Sequence, residues 1–180
     1  SEHFDVLVIG GGVTGAGVAL DASARGYKVA LVEKLDFASG TSSKSTKLIH
    51  GGIRYLPHFD FALVHEALVE RGILLRNAPF LVRPVGFILP IYKGERHPVG
   101  MPFTTPGGIG LGLILNMGLW LYDGMAGLML GRHEIKRHHH LSHKELTKLA
   151  PALVTKGLKD GFVYYDAQTN DARLTLTLIR

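Results

Sequence analysis

Apolar positions gather along this chain in short runs and in spaced stripes, and their spacing predicts its elements. Val6-Leu7-Val8-Ile9 is an unbroken apolar run rich in β-branched residues, the pattern of a strand buried on both faces. From Ala16 to Arg25 small and apolar residues recur at helical spacing, and Gly26 supplies a C-terminal stop. Val29-Ala30-Leu31-Val32 repeats the strand pattern and ends in Glu33. Phe61 to Arg76 is helical in its spacing through Ala62, Leu63, Val64, Leu68, Val69, Ile73 and Leu74. Asp60 is placed to cap that helix, and Glu66, Glu70 and Arg71 give it a polar side. Pro79 and Pro84 bracket a turn before Val85 to Ile91, which reads as a strand, and Lys93 to Pro106 reads as a loop. Ser142-His143-Lys144-Glu145 has the form of a capping box opening a helix from Lys144 to Leu149. Leu146 and Leu149 are expected to face inward, and Pro151 ends it.

Gly107 to Gly131 is nearly uncharged and long enough to suggest a membrane span. Its glycines, with Asn116 and Asp123 inside, favour a buried or surface-docked helix pair instead. Trp120 and Tyr122, followed by Arg132, Lys136 and Arg137, also suit a peripheral membrane contact.

The first two apolar runs enclose Gly10-Gly11-Gly12-Val13-Thr14-Gly15, which fits G-x-G-x-x-G, and an acid follows about twenty residues later. Strand, glycines, helix, second strand and Glu33 are in register, as in a dinucleotide-binding βαβ unit. Gly10 permits the tight turn, Gly12 lets a pyrophosphate approach the backbone, and Gly15 lets the helix pack close to the sheet. The free N–H groups of the first helical turn favour an anion. Glu33 can accept from both hydroxyls of a ribose and would repel a 2′-phosphate, which disfavours NADP. The unit alone does not separate FAD from NAD.

Composition narrows the classes. The 180 residues are 46% hydrophobic and 19% charged, so the chain can bury a sizeable core and is not a disordered segment. With no cysteine, disulfides, cysteine nucleophiles and a flavin attached through cysteine are excluded. Ser1-Glu2-His3-Phe4 has no signal-peptide character, and a cytoplasmic location, peripheral to the membrane if attached at all, is expected. The net charge of +5 suits an anionic substrate or an acidic membrane surface, and an ordinary solvated surface as well. Basic residues are scattered, which excludes a nucleic-acid reader. His138-His139-His140, with His133 and His143, diverge as neighbours and lack a carboxylate or thiolate at ligand spacing. A solvated loop and no metal site are expected there.

After Glu33, Leu35 to Lys47 (LDFASGTSSKSTK) is small, hydroxylic or basic. It reads either as a flexible polar loop or as a second cradle for phosphate. It runs into Leu48-Ile49-His50-Gly51-Gly52-Ile53-Arg54-Tyr55-Leu56, whose paired glycines suggest close backbone approach to a flat ligand. Arg54 places a bidentate donor next to them, suited to phosphate or carboxylate.

The run from Asp5 through GTSSKSTKLIHGGIRYL to Leu56 resembles the FAD-dependent glycerol-3-phosphate dehydrogenases. A second similar stretch runs from Tyr164-Tyr165-Asp166 through Asn170-Asp171-Ala172-Arg173-Leu174, where the family opens a helix after a sheet strand. The resemblance spans the chain, more loosely from Pro79 to Leu158. It implies an α/β fold: a Rossmann-like FAD-binding domain of the D-amino-acid-oxidase type, interleaved with the start of an α+β substrate domain. Residues 1–78 would be the FAD-binding region, 79–163 a substrate-domain segment, and 164–180 the return to the FAD-binding domain. Gly10, Gly12 and Gly15 would cradle the FAD pyrophosphate, and Glu33, with Lys34 beside it, the adenosine ribose. Thr41, Ser42, Ser43 and Lys47 would line the phosphates and ribityl chain. Leu48, Ile49, His50, Gly51 and Gly52 would pass beside the isoalloxazine. Arg54, gripping phosphate, and Tyr55 would face the substrate.

The resemblance further implies oxidation of sn-glycerol 3-phosphate to dihydroxyacetone phosphate, with hydride passing from C2 to flavin N5 and electrons passing on to quinone. No catalytic base is assigned. Leu174, Leu176, Leu178 and Ile179 are still building an apolar pattern where the chain stops, so it reads as an amino-terminal fragment. Two alternatives stand beside the dehydrogenase: a dinucleotide-binding module without turnover, and an oxidase that uses oxygen.

Overall fold

The computed structural model describes residues 2–96, 110–130 and 135–180, with 128–130 described through the backbone alone. Expectations that fall on 97–109 and on Gly131, Arg132 and His133 lie outside the described residues. The chain divides into two units. One comprises Ser1–Leu48, Phe80–Arg83 and Gln168–Arg180; the other comprises Ile49–Pro79 and Pro84–Ala167. Residues 49–78, expected with the dinucleotide-binding region, pack within the second unit.

In the first unit, β1 (Val6–Ile9) pairs in parallel with β2 (Val29–Val32), Val6 opposite Val29 and Ile9 opposite Val32. The helix between them, α1 (Val13–Ala24), starts on the glycine motif itself, three residues before the expected Ala16. Gly26 follows it in the left-handed region at φ 90°, a stop that glycine adopts without strain. The helix packs on both strands. Val8 faces it and is buried, whereas Leu7 and Ile9 are 61% and 81% exposed. Among the described residues, then, one face of β1 is covered and the other is open. Alternate strand residues point to opposite faces, and α1 covers only one. At the far end of the chain, α5 (Asp171–Ile179) packs against α1, its first turn capped by the Asn170 side chain, which accepts from Arg173 N at 3.1 Å.

The second unit is built on a sheet of order β3-β6-β4: β3 (Leu48–Ile49), β6 (Leu158–Thr169) and β4 (Val82–Tyr92). β5 (His139–Ser142) pairs antiparallel with β6. β4 starts three residues before the expected Val85 and carries Pro84 and Pro90. It lies at the end of the strand order, where a missing N–H can be tolerated. α2 (Phe61–Asn77) is capped as expected: Asp60 Oδ1 accepts from Leu63 N at 3.2 Å. Val64, Leu68 and Leu75 form its buried stripe, and Val64 and Leu68 close a core with Leu56 and Tyr122.

The uncharged stretch forms one continuous helix, α3 (Leu111–Leu130), and not a helix pair. Leu111, Leu115, Leu119 and Tyr122 follow one another at helical spacing and are buried, the leucines against Ile91 and Phe162. That burial offsets the cost, about 1 kcal/mol each, of glycines inside a helix. Among the described residues no helix is long and apolar enough to cross a membrane.

α4 (His143–Leu149) opens with the expected capping box. Glu145 N donates to Ser142 Oγ, and Ser142 N donates to Glu145 Oε2 at 2.8 Å. Leu146 is fully buried against Leu141, Leu158 and Val163, but Leu149 is 61% exposed, contrary to expectation. A helix of seven residues lays only one leucine on that cluster, and Leu149 is its last residue. Ser142→Ala is expected to lower stability by about 1 kcal/mol. The check is a lower urea midpoint at unchanged slope.

Candidate functional site

The turn after β1 is held from two sides. Gly10 sits at φ 110°, a conformation L side chains rarely adopt, and its N–H donates to Val32 O at 2.8 Å. A Cβ on Gly15 would lie 1.9 Å from the Gly10 carbonyl oxygen, so only glycine lets α1 sit this close to the turn. Glu33 closes one side: Oε2 accepts from Gly11 N at 2.7 Å and Oε1 from Leu35 N at 3.0 Å. These two amides, Gly11 first, hold its carboxyl below the usual carboxylate range. Ser42 closes the other side, its Oγ accepting from Val13 N at 2.9 Å. A Cβ on Gly12 would meet only that hydroxyl, at 3.3 Å. The start of α1 therefore holds Gly11 N on Glu33 and Val13 N on Ser42, at a helix end whose dipole favours an anion.

The polar stretch from Leu35 to Lys47 is tied to the rest of the first unit by hydrogen bonds. Ala38 N donates to Gly11 O at 2.9 Å, and Thr41–Ser43 form a 3-10 helix. Ser45 Oγ donates to Asp171 Oδ2 at 2.7 Å, and Thr169 N donates to Lys47 O at 2.9 Å. Lys34, Thr41 and Lys47 are exposed, and Ser42 and Ser43 half-buried. Gly10, Gly12, Gly15, Glu33 and Ser42 thus lie together in the first unit.

Ile49 to Tyr55 belong to the second unit. His50 is exposed, and Gly51 and Gly52 are buried. Gly52 is left-handed at φ 71° and leads into a 3-10 helix, Ile53–His58, that carries Arg54 and Tyr55 outward. A Cβ on Gly51 would lie 2.3 Å from both the Tyr122 hydroxyl and Leu68 Cδ2. The close approach at this glycine is therefore made by the protein's own side chains.

Behind the glycines lies a cluster that the sequence reading missed. Arg71, expected on the polar side of α2, is 3% exposed and ion-paired with Asp166, itself 2% exposed. Asp166 Oδ1 also accepts from Tyr122 OH at 2.8 Å and from Gly51 N at 3.0 Å. The Arg71 guanidinium stands over the Tyr122 ring at 5.5 Å. Burial, and then the charge of Asp166, push the Tyr122 phenol far up, so it stays a neutral donor. Burial and then Asp166 push Tyr164 up to about 12, opposed by Arg54. Arg71 continues the stripe of Val64, Leu68 and Leu75 at helical spacing. That position was the one signal that could have revealed it.

The histidine run is also corrected. His138 is buried, with Nδ1 2.7 Å from Asp123 Oδ2 and Nε2 3.1 Å from Asn116 Oδ1, and His139 and His140 open β5. The two polar residues inside α3 are its partners, which explains why neither breaks the helix.

Over residues 5–180 the chain matches the family described as FAD dependent oxidoreductase. It is 44% identical over 180 residues to the aerobic glycerol-3-phosphate dehydrogenase of Staphylococcus haemolyticus, covering 100% of this chain and 29% of that protein. The corresponding Staphylococcus aureus protein is 43% identical over the same 180 residues. Among solved structures, the glycerol-3-phosphate dehydrogenase from Bacillus halodurans complexed with FAD has TM-score 0.61 and 34% identity, over 99% of this chain and 24% of that one. The L-alpha-glycerophosphate oxidase from Mycoplasma pneumoniae with FAD bound has TM-score 0.62 at 20% identity, over 99% of this chain and 42% of that one, a likeness of fold. The chain thus spans 29% of the length of the curated relatives it matches.

Proposed function

Since the chain belongs to the FAD dependent oxidoreductase family, we propose that it is the amino-terminal part of a glycerol-3-phosphate dehydrogenase, oxidising sn-glycerol 3-phosphate to dihydroxyacetone phosphate and passing electrons to quinone. The observation that carries this reading is 43–44% identity along the whole chain to proteins of that name. In this reading residues 1–78 and 164–180 serve FAD binding, and 79–163 the substrate domain.

The residues present fit FAD. At Gly12 only the Ser42 hydroxyl lies near the place of a Cβ, which suits the approach of a pyrophosphate to the backbone. A carboxylate has about four acceptor positions, and Glu33 uses two on Gly11 and Leu35, leaving two for the adenosine ribose hydroxyls. Lys34, Thr41, Ser42, Ser43 and Lys47 supply hydroxyls and cations for the phosphates and ribityl chain. Leu48, Ile49, His50, Gly51 and Gly52 pass beside the isoalloxazine. FAD, when bound, supplies the two-electron acceptor for the C2–H of the substrate. Arg54 binds the substrate phosphate through its planar fork, and Tyr55, 37% exposed, offers its hydroxyl to the bound triol phosphate. Trp120, 55% exposed on α3, together with Lys136 and Arg137 further along the chain, supports a peripheral membrane contact near a quinone pool.

The test is the full-length gene product. Purified with its flavin, it should bleach anaerobically on addition of glycerol 3-phosphate and reduce a soluble quinone analogue. A colourless product, or a yellow one that the substrate leaves oxidised, sinks the reading. Hydrogen peroxide as the main product would make it an oxidase.

Glu33→Ala is expected to weaken FAD retention roughly tenfold or more, the effect of losing charge-assisted hydrogen bonds. Because the folded carboxyl is held below its usual range, this contribution is complete above that range and is lost as pH falls through the folded value. Flavin content after dialysis, for parent and variant across pH, checks both statements.

A further inference from the structure

One carboxylate oxygen gathers three elements of the second unit. Asp166 Oδ1, on β6, accepts from Gly51 N after β3, from Tyr122 OH on α3 and from Arg71 Nη1 on α2. Arg71 Nη1 also donates to the carbonyl of Tyr165 at 3.4 Å. Arg71, Tyr122 and Asp166 are 3%, 1% and 2% exposed.

Stability alone does not call for this arrangement. Arg71 stands in the apolar stripe of Val64, Leu68 and Leu75, where a leucine would pack. Replacing a buried ion pair by well-packed apolar residues is often neutral or stabilising. What the ion pair adds is direction. The peptide unit is planar and trans, so its N–H and its C=O point opposite ways. Aiming Gly51 N–H at Asp166 aims the His50 carbonyl away from the cluster. The peptide has little room to turn, because Tyr122 and Leu68 fill the place of a Cβ on Gly51. Gly52 is set at φ 71°, and Tyr55 N closes the next turn on Gly52 O at 2.8 Å. The Arg71 and Asp166 charges cancel, and Tyr122 is neutral, so the cluster orients the backbone without adding net charge beneath it.

We infer that Arg71, Tyr122 and Asp166 are positioning residues: they clamp Gly51 N–H and thereby fix the His50 carbonyl as an outward acceptor that tunes the flavin. The inference rests on the proposed function, which seats the isoalloxazine beside His50 to Gly52. A fixed carbonyl acceptor favours the ring with more N–H donors, which is the reduced one. Loosening the clamp should therefore lower the midpoint potential.

The experiment uses the full-length gene product purified with FAD, as parent, Tyr122→Phe, Asp166→Leu and Asp166→Asn. Flavin content, melting temperature, midpoint potential against reference dyes, and kcat and KM for glycerol 3-phosphate are measured. Tyr122→Phe is expected to retain flavin and to lose roughly tenfold in preference for the reduced ring, about 30 mV for a two-electron couple. Its kcat falls with the potential. Asp166→Leu should shift further, and Asp166→Asn, whose amide oxygen still accepts from Gly51 N, should recover part of the shift. If Asp166→Leu does not fold, Tyr122→Phe against Asp166→Asn decides. Lower melting temperatures with potential and kcat unchanged at equal flavin content would reduce the cluster to a structural ion pair, with the dehydrogenase reading intact. A parent that purifies without flavin overturns that reading and the inference with it.

Discussion

Arg54→Ala, made in the full-length gene product, is expected to lower kcat/KM for glycerol 3-phosphate by on the order of a hundredfold or more, the loss of a desolvated charge-assisted contact of ~2–5 kcal/mol. The same substitution should change turnover of plain glycerol little, because glycerol has no phosphate to hold. Arg54 stands exposed on the 3-10 helix after Gly52 and, among the described residues, takes part in none of the ion pairs. Arg54→Lys keeps the charge without the fork and should fall between parent and alanine. Steady-state rates with both substrates, at matched flavin content and melting temperature, decide the assignment. An equal proportional loss with the two substrates would remove Arg54 from the phosphate site.

Gly15→Val should be the most damaging change in the first unit. Its Cβ would fall 1.9 Å from the Gly10 carbonyl oxygen, a backbone atom that cannot swing aside. The helix must lift from the turn, at a cost on the order of 3 kcal/mol or more, beyond the usual range for overpacking. Gly12→Val is a different case, since its Cβ meets only the Ser42 hydroxyl at 3.3 Å. It should fold normally and fail to hold flavin, because the added methyl groups stand where a pyrophosphate would approach. Denaturation midpoints and flavin absorbance on the two variants separate the roles. A normal midpoint for Gly15→Val would show that α1 does not depend on this close contact.

The features legible in the sequence were those whose cause is local. The βαβ unit was visible because Gly10, Gly15 and the two apolar runs each act within a few residues of themselves. The Asp60 cap and the Ser142–Glu145 box were visible for the same reason, since cap and capped amide are three residues apart. Of the candidate site, the structure brings the glycine turn and Glu33 together, with Glu33 accepting from Gly11 N. Arg71 was taken for a surface charge because its partner, Asp166, lies 95 residues away. His138 was read with its neighbours as a solvated loop because its partners, Asp123 and Asn116, lie 15 and 22 residues away on α3. The open faces of Leu7 and Ile9 had the opposite cause. An apolar run shows what a strand is fit to bury, and what covers it is decided elsewhere.

The contact between Gly51 N and Asp166 also orders events in time. It joins residues 115 positions apart. At ribosomal rates of roughly 5–20 residues per second, Asp166 leaves the peptidyl-transfer centre roughly 6–23 s after Gly51. Through that interval the Arg71 guanidinium lacks the carboxylate it meets in the folded chain. The Gly51 amide receives its carboxylate only once β6 has been made. Completion of this contact therefore waits until β6 has been synthesised.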